Sequence, residues 1–190
     1  MNEQERNYYR SLYELAAAVN SAGDRESVLN SLVENAAKAL GAKGCSLMLL
    51  TPDAKTLLRA ASWGLSDRYL QKGPLSADRS IAEALQGKPV AVLDAPRDDR
   101  VQYRQEAKQE GIASILSVPM RLRGQIIGVL RVYTGEPRQF SEEDIYFAEA
   151  AANLGAIALE NARLYESLKK DYEEVRLELL EMEESLHGMR

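Results

Sequence analysis

The amino-acid sequence predicts an α/β chain of the α+β kind, built on a mostly antiparallel sheet of five to six strands. Three features predict it. Two strand patterns, Ile112–Met120 and Gln125–Tyr133, are joined by the tight turn Arg121-Leu-Arg-Gly124. Phe140-Ser-Glu-Glu-Asp144 and a very long helical pattern follow at once. Upstream, Asp24–Leu50 reads as an amphipathic helix leading into a strand.

The elements follow in order. Tyr8, Leu12, Leu15, Ala16 and Val19 share one helical face, and Ala22-Gly23 ends that helix, giving an N-terminal segment of residues 1–23. Asp24 is placed to cap the next helix, whose apolar stripe Val28, Leu29, Leu32, Val33, Ala36 and Leu40 stops at Gly41. Strands at Cys45–Thr51 and Thr56–Trp63 flank Pro52-Asp53-Ala54-Lys55, whose turn chemistry fits a hairpin. A less regular middle holds a short helix at Arg79–Gln86, a strand at Pro89–Leu93, an Asp-rich loop at Asp94–Arg100 and a helix at Tyr103–Glu110. Strand neighbours are expected to be antiparallel except at Pro89–Leu93, which a helical crossover reaches. Gly124 serves the last turn and Gly128 close packing.

Ser141 is placed to cap the final helix, with Glu142, Glu143 and Asp144 complementing its positive end. Leu154, Ile157, Asn161, Leu164, Leu168, Tyr172, Val175, Leu179, Met182, Leu186 and Met189 then recur at alternating steps of three and four, with one extra step of four at Leu168–Tyr172. Such a seam predicts a coiled coil with a stutter, which locally unwinds the supercoil. Glu173, Glu174, Glu178, Glu181, Glu183 and Glu184 make the last turns strongly acidic, so a lone helix gains little there. The expectation is a parallel homodimer formed by Leu12, Leu15 and Val19 together with Leu164, Leu168, Val175, Leu179, Met182 and Leu186.

The 190 residues, 45% hydrophobic, suffice for one domain with a core plus flanking helix. A net charge of -5 argues against nucleic acid as a partner. Cys45 is the lone cysteine, which excludes a disulfide framework and multi-cysteine metal sites; its apolar strand setting reads as a buried thiol. The sole histidine, His187, falls in the coiled-coil pattern, so no Ser-His-Asp or Cys-His arrangement can be built in the core and no catalytic residue is expected. Asp94, Asp98 and Asp99 read as a solvated turn rather than an acid/base pair. No apolar run approaches the roughly 18 residues of a membrane span, and Met1-Asn-Glu-Gln-Glu-Arg6 does not read as a secretory leader; the expectation is a cytoplasmic protein with no membrane partner.

Several short segments stand in a familiar order: Ser46-Leu-Met-Leu-Leu50, Ala60-Ala-Ser-Trp-Gly64, Ser80-Ile-Ala82, Ser117-Val-Pro119, Ile127-Gly-Val129 and Phe140-Ser-Glu-Glu-Asp144. With the helix-then-strand opening, they make the chain resemble a GAF domain from about Asp24 to Asn161, a sensor domain at 24–161 followed by a signalling helix at 162–190. The resemblance implies terminal helices on one face of the sheet and a lid of short helices and loops on the other. It also implies a ligand cavity under the lid, at the positions of Ser46, Ser62, Trp63, Ile81, Ala82, Asp94, Tyr103, Ser114 and Arg131. Trp63 would stack on a planar ligand while Ser46 and Ser114 fix its polar edge; alternatively Trp63 fills core space and the cavity is vestigial. Arg131 interrupts an apolar strand. Facing inward it needs an anion, Asp94 or a ligand carboxylate or phosphate; facing outward it is an edge charge.

The resemblance implies a regulatory small-molecule sensor whose output is a downstream signalling protein or domain, with a ligand-free scaffold as the alternative. GAF-like reduction of free methionine sulfoxide relies on several cysteines, covalent bilin on a lid cysteine and haem on a core histidine. The chain has none of these, so covalent bilin and His-ligated haem are disfavoured and the cofactor is left unknown. For cyclic nucleotides, Phe140 and Asp144 are kept, but Thr134-Gly135 and Ile145 replace the Asn-Lys pair and the Glu of that motif.

Overall fold

Arg123 and Gly124 both have positive φ, 50° and 80°, and close a two-residue turn between β5 (Ser114–Leu122) and β6 (Gln125–Thr134). A turn of that hand matches the right-handed twist of its strands. The structure, a computed structural model, describes residues 3–20, 24–79 and 81–188, with side chains as far as residue 180. The remaining elements are α1 (Glu3–Asn20), α2 (Arg25–Ala39), β1 (Gly44–Leu50), β2 (Thr56–Trp63), α3 (Asp67–Leu70), β3 (Leu75–Ser76), α4 (Ala82–Leu85), β4 (Val90–Val92), α5 (Arg104–Glu110) and α6 (Glu142–Gly188). The strands form one sheet in the order β3-β2-β1-β6-β5-β4. All its pairings are antiparallel, including β4 on β5, where a crossover exception was expected. The loop through α5 is long enough to reverse the chain before β5.

Alternation gives the sheet two distinct faces. Cys45, Leu47, Leu116, Val118, Leu130 and Val132 are fully buried on one, beneath Leu29, Leu32, Val33 and Ala36 of α2. The opening turns of α6 join this layer: a Cβ on Gly155 would lie 2.8 Å from Leu47 Cδ1 and 3.5 Å from Leu32 Cδ1. Gly128 is required for a similar reason, because a Cβ there would stand 2.1 Å from the Met48 carbonyl of β1. The helix starts are formed as anticipated. Asp24 accepts from the Ser27 amide at 3.0 Å, and Ser141 and Asp144 cap one another's amides at 3.2 and 3.1 Å.

Two compact units result, Met1–Ala158 and Leu159–Arg190, and α1 belongs to the first. That placement corrects the expected dimer face. Leu15 and Val19 are buried inside the chain's own core, because α1 lays its apolar stripe along α2. Leu12 is half-buried, and Tyr9 and Tyr13 point outward. In the second unit Leu164, Leu168, Tyr172, Val175 and Leu179 are between 49% and 68% exposed. Met182, Leu186 and His187 fall in the stretch whose side chains lie outside the described residues, and Met189 lies beyond it.

Asp144 ties the first unit together. Its buried carboxylate accepts from Tyr8 Oη at 2.5 Å, Gln4 Nε2 at 3.2 Å and Arg138 Nη2 at 2.9 Å. Arg138 also donates to the Leu40 carbonyl at the end of α2, and Tyr8 stacks on Phe147 with centroids 4.5 Å apart. Asp144→Ala strands these donors and is expected to cost about 3 kcal/mol in urea unfolding, as for a buried pair that loses one partner. Burial first, and then the bond to Asp144, raise the Tyr8 phenol above its ordinary 10.0. The unfolded chain therefore deprotonates first, so stability falls as pH rises beyond about 10. Tyr8→Phe should lessen that fall in unfolding curves measured against pH.

Candidate functional site

The face of the sheet away from α2 carries a polar row. Register places Ser62, Ser46, Arg131, Ser117 and Val90 side by side across β2, β1, β6, β5 and β4. Apolar clusters flank it, one containing Met48, Leu57, Ile81 and Val129, the other Tyr69, Val101, Ile115 and Tyr133. Ser46 Oγ and Tyr133 Oη share a hydrogen bond of 2.9 Å within the sheet.

Arg131 faces inward and is 2% exposed. Its Nε donates to Ser117 Oγ at 3.2 Å, and its guanidinium carbon lies 5.5 Å from the Tyr133 ring centroid. Among the described residues no carboxylate comes within ion-pair distance. The serine hydroxyl and the ring face orient the guanidinium but carry no negative charge, so a buried cation stands uncompensated. Asp94, the protein partner anticipated for it, lies instead with Arg97 at 3.5 Å. Asp94 lines a broad, open groove of about 800 Å³ with Gln102, Arg104 and Lys108, separate from the buried arginine.

A second cation stands close by. Lys72, in the loop from α3 to β3, places Nζ 3.8 Å from the Tyr69 ring centroid and donates to the Tyr69 carbonyl at 3.3 Å. Burial, then the positive fields of Arg131 and Arg59, push its ammonium down to about 8. Lys72 lines two spaces at once. The outer is a cleft of about 230 Å³ bounded by Ser46, Met48, Arg59, Gly73 and Tyr133. The inner, between Tyr69, Val101, Tyr103 and Arg131, leaves no space for a water molecule. Gly73 permits this loop through φ of 98°, and a Cβ there would meet the Tyr103 hydroxyl at 3.1 Å. That hydroxyl donates to the Pro74 carbonyl at 2.9 Å and pins the loop.

The residues anticipated for the cavity divide accordingly. Ser46, Ser62 and Arg131 share the row, Tyr103 covers Arg131, and Ile81 is fully buried in the adjoining apolar cluster with Ala82 beginning the short helix beside it. Trp63, Asp94 and Ser114 lie elsewhere. Trp63 pairs with Cys45 and sits 5.9 Å from Lys38 of α2, on the helix-covered face. Ser114 donates to the Leu93 carbonyl at 2.6 Å and accepts from the Arg138 amide at 2.9 Å, stapling loops. Sequence reading missed Lys72, Tyr69, Ser117 and Tyr133. Two-residue alternation from Arg131 and its cross-strand register would have found Tyr133 and Ser117; Gln71-Lys-Gly-Pro74 carries no signal beyond that of a polar turn. Cys45 is enclosed on the opposite face, where burial drives its thiol far above the ordinary range. Among the described residues no cluster of metal-ligating side chains occurs, and no helix is long and apolar enough to cross a membrane.

Residues 22–160 match the GAF domain, and the chain belongs to that family. The phosphoenolpyruvate-dependent phosphotransferase system protein of Escherichia coli K12 is 29% identical over 172 residues, covering 89% of this chain and 23% of its own length. The methyl sulfide methyltransferase-associated sensor of Methanosarcina acetivorans is 26% identical over 159 residues, covering 80% of this chain and 16% of its own. The chain thus spans less than a quarter of these relatives. The GAF domain of a phosphoenolpyruvate-protein phosphotransferase from Coxiella burnetii has the same fold, with a TM-score of 0.75 at 24% identity over 87% of this chain and 99% of that one. GAF domains are generally regulatory rather than catalytic, and membership of the family is consistent with a sensory or regulatory domain.

Arg131→Met should fold and be as stable as the parent or about 1 kcal/mol more stable in urea, because an apolar side chain replaces a buried charge that has no counter-ion among the described residues. Lys72 gives a pH signature of known sign. With its folded pKa lowered to about 8 from 10.5, the unfolded chain binds more protons between those values, so this group makes stability rise with pH there. Lys72→Met should remove that rise, measured between pH 8 and 9.5.

Proposed function

We propose that the chain is a cytoplasmic regulatory sensor that binds a small anionic ligand under its lid and acts as a parallel homodimer without catalysis of its own. One observation carries the ligand reading. Arg131 is buried, oriented by Ser117 and Tyr133, and without a carboxylate among the described residues. A ligand carboxylate or phosphate supplies the missing charge. The Methanosarcina relative is named a sensor and the Escherichia coli one is named for phosphoenolpyruvate, an anion, and both names suit this reading. Cys45, on the far face of the sheet, is out of reach of such a ligand. The closed space over Arg131 favours a second reading, a dimeric scaffold that binds a partner protein and no small ligand.

The dimer rests on the uncovered seam Leu164, Leu168, Val175 and Leu179, with Leu12 and the outer tyrosines of α1 as a further contact. Residues 162–190 would be the output helix, and the stutter at Leu168–Tyr172 the point where two packings exchange. A Leu168→Lys, Leu179→Lys double variant should be monomeric by light scattering, with the unfolding midpoint of the sheet unit unchanged. A monomeric parent protein would sink the dimer. A metabolite screen by thermal unfolding tests the ligand, since an anion at about 100 times its dissociation constant adds about 2.7 kcal/mol. Arg131→Met should lose that response.

A further inference from the structure

The geometry points to Lys72 as a proton-linked gate and second ligand contact: an entering anion draws its ammonium off the Tyr69 ring, opens the closed space over Arg131, and is held between the two cations. This rests on the anionic-ligand reading above. Lys72 is the side chain that the outer cleft and the inner space share with Arg131 behind it, so an anion in the 230 Å³ cleft meets Lys72 first. Its present hold is weak: a ring face at 3.8 Å and one carbonyl at 3.3 Å, neither carrying formal charge. Arg131 repels it from behind and Arg59 from β2, while Glu106 and Glu110 on α5 attract it more weakly. Glu110 is already engaged by the Ser66 amide and hydroxyl. The phenols of Tyr69, Tyr103 and Tyr133 complete the surroundings. An anion standing between Lys72 and Arg131 compensates both charges at once, and a doubly charged one does so best. Gly73 beside Lys72 supplies the backbone freedom, and the Tyr103 bond to Pro74 is the latch that the movement loads.

The proton follows the anion. Free Lys72 lies at about 8, and a neighbouring negative charge returns it toward its ordinary 10.5. Binding therefore takes up a proton between those values and none below, and affinity falls as pH rises through that window by up to about tenfold per pH unit. Sulfate and malonate, which keep two charges throughout, and acetate and chloride, which keep one, are suitable probes. Binding of each to the full chain would be measured by thermal unfolding and titration calorimetry at pH 7 and pH 9, in buffers of different ionisation enthalpy. The expected result is a preference for the divalent anions, with proton uptake at pH 9 only. Lys72→Met should lose about tenfold or more in sulfate affinity at pH 7 and show no pH dependence. Lys72→Arg should keep the affinity and lose the pH dependence, which a purely structural lysine would not do. If Lys72→Met retains the parent's pH slope, or sulfate and acetate bind alike, the gate is wrong while the Arg131 reading stands. If none of the four anions stabilises the parent protein, the anionic-ligand reading itself falls.

Discussion

Strand β6 is buried on both faces, from Gly128 to Thr134 without a break, and most of the architecture answers to that constraint. Every side chain in that stretch faces either the helical layer or the lid, and neither offers bulk water. Apolar residues satisfy the condition on the helix side, where Leu130 and Val132 lie under α2 and the start of α6. Arg131, between them in sequence, must face the lid. The rest of that face is organised around it: Ser117 and Tyr133 orient it, the short helices and loops from α3 to α5 cover it, and Lys72 stands at its entrance.

The protein also shows how it treats a buried charge that has no further purpose. Asp144 receives Tyr8, Gln4, Arg138 and a backbone amide, so every direction around the carboxylate is met from within the chain. Arg131, equally buried, receives a hydroxyl and a ring face. The same chain completes one site and leaves the other short of a charge, and the difference lies in the neighbours each strand and helix supplies. At Asp144 they come from α1 and from the loop that leads into α6, which converge for packing; at Arg131 the lid brings phenols and a second cation.

Helix caps, hairpin turns and the longer strand segments were legible in the sequence because each depends on a few adjacent residues, whereas the order of strands in the sheet was not. Asp24, Ser141 and Arg123-Gly124 hold their positions for reasons local to their own turns. The candidate site was legible in part. Arg131 stands out as a charge in an apolar strand, whereas Lys72 looks like any lysine before a glycine until the fold brings it near Arg131. Trp63 and Ser114 illustrate the other failure: each faces away from Arg131, and the cross-strand register that decides this, Cys45 opposite Trp63 and Ser114 opposite Thr134, is set by pairing between distant segments. Leu15 and Val19 show that a helical apolar stripe announces burial without saying whose core it joins.

Trp63 is the chain's only tryptophan, and its position on the α2 side gives the molecule a built-in fluorophore. The indole lies 5.9 Å from the Lys38 ammonium, on the opposite side of the sheet from Arg131, so a bound anion cannot quench it by touching it. Its emission is therefore an optical readout of the helical side of the sheet. Any spectral shift on filling the lid side measures strain carried through the thickness of a single sheet.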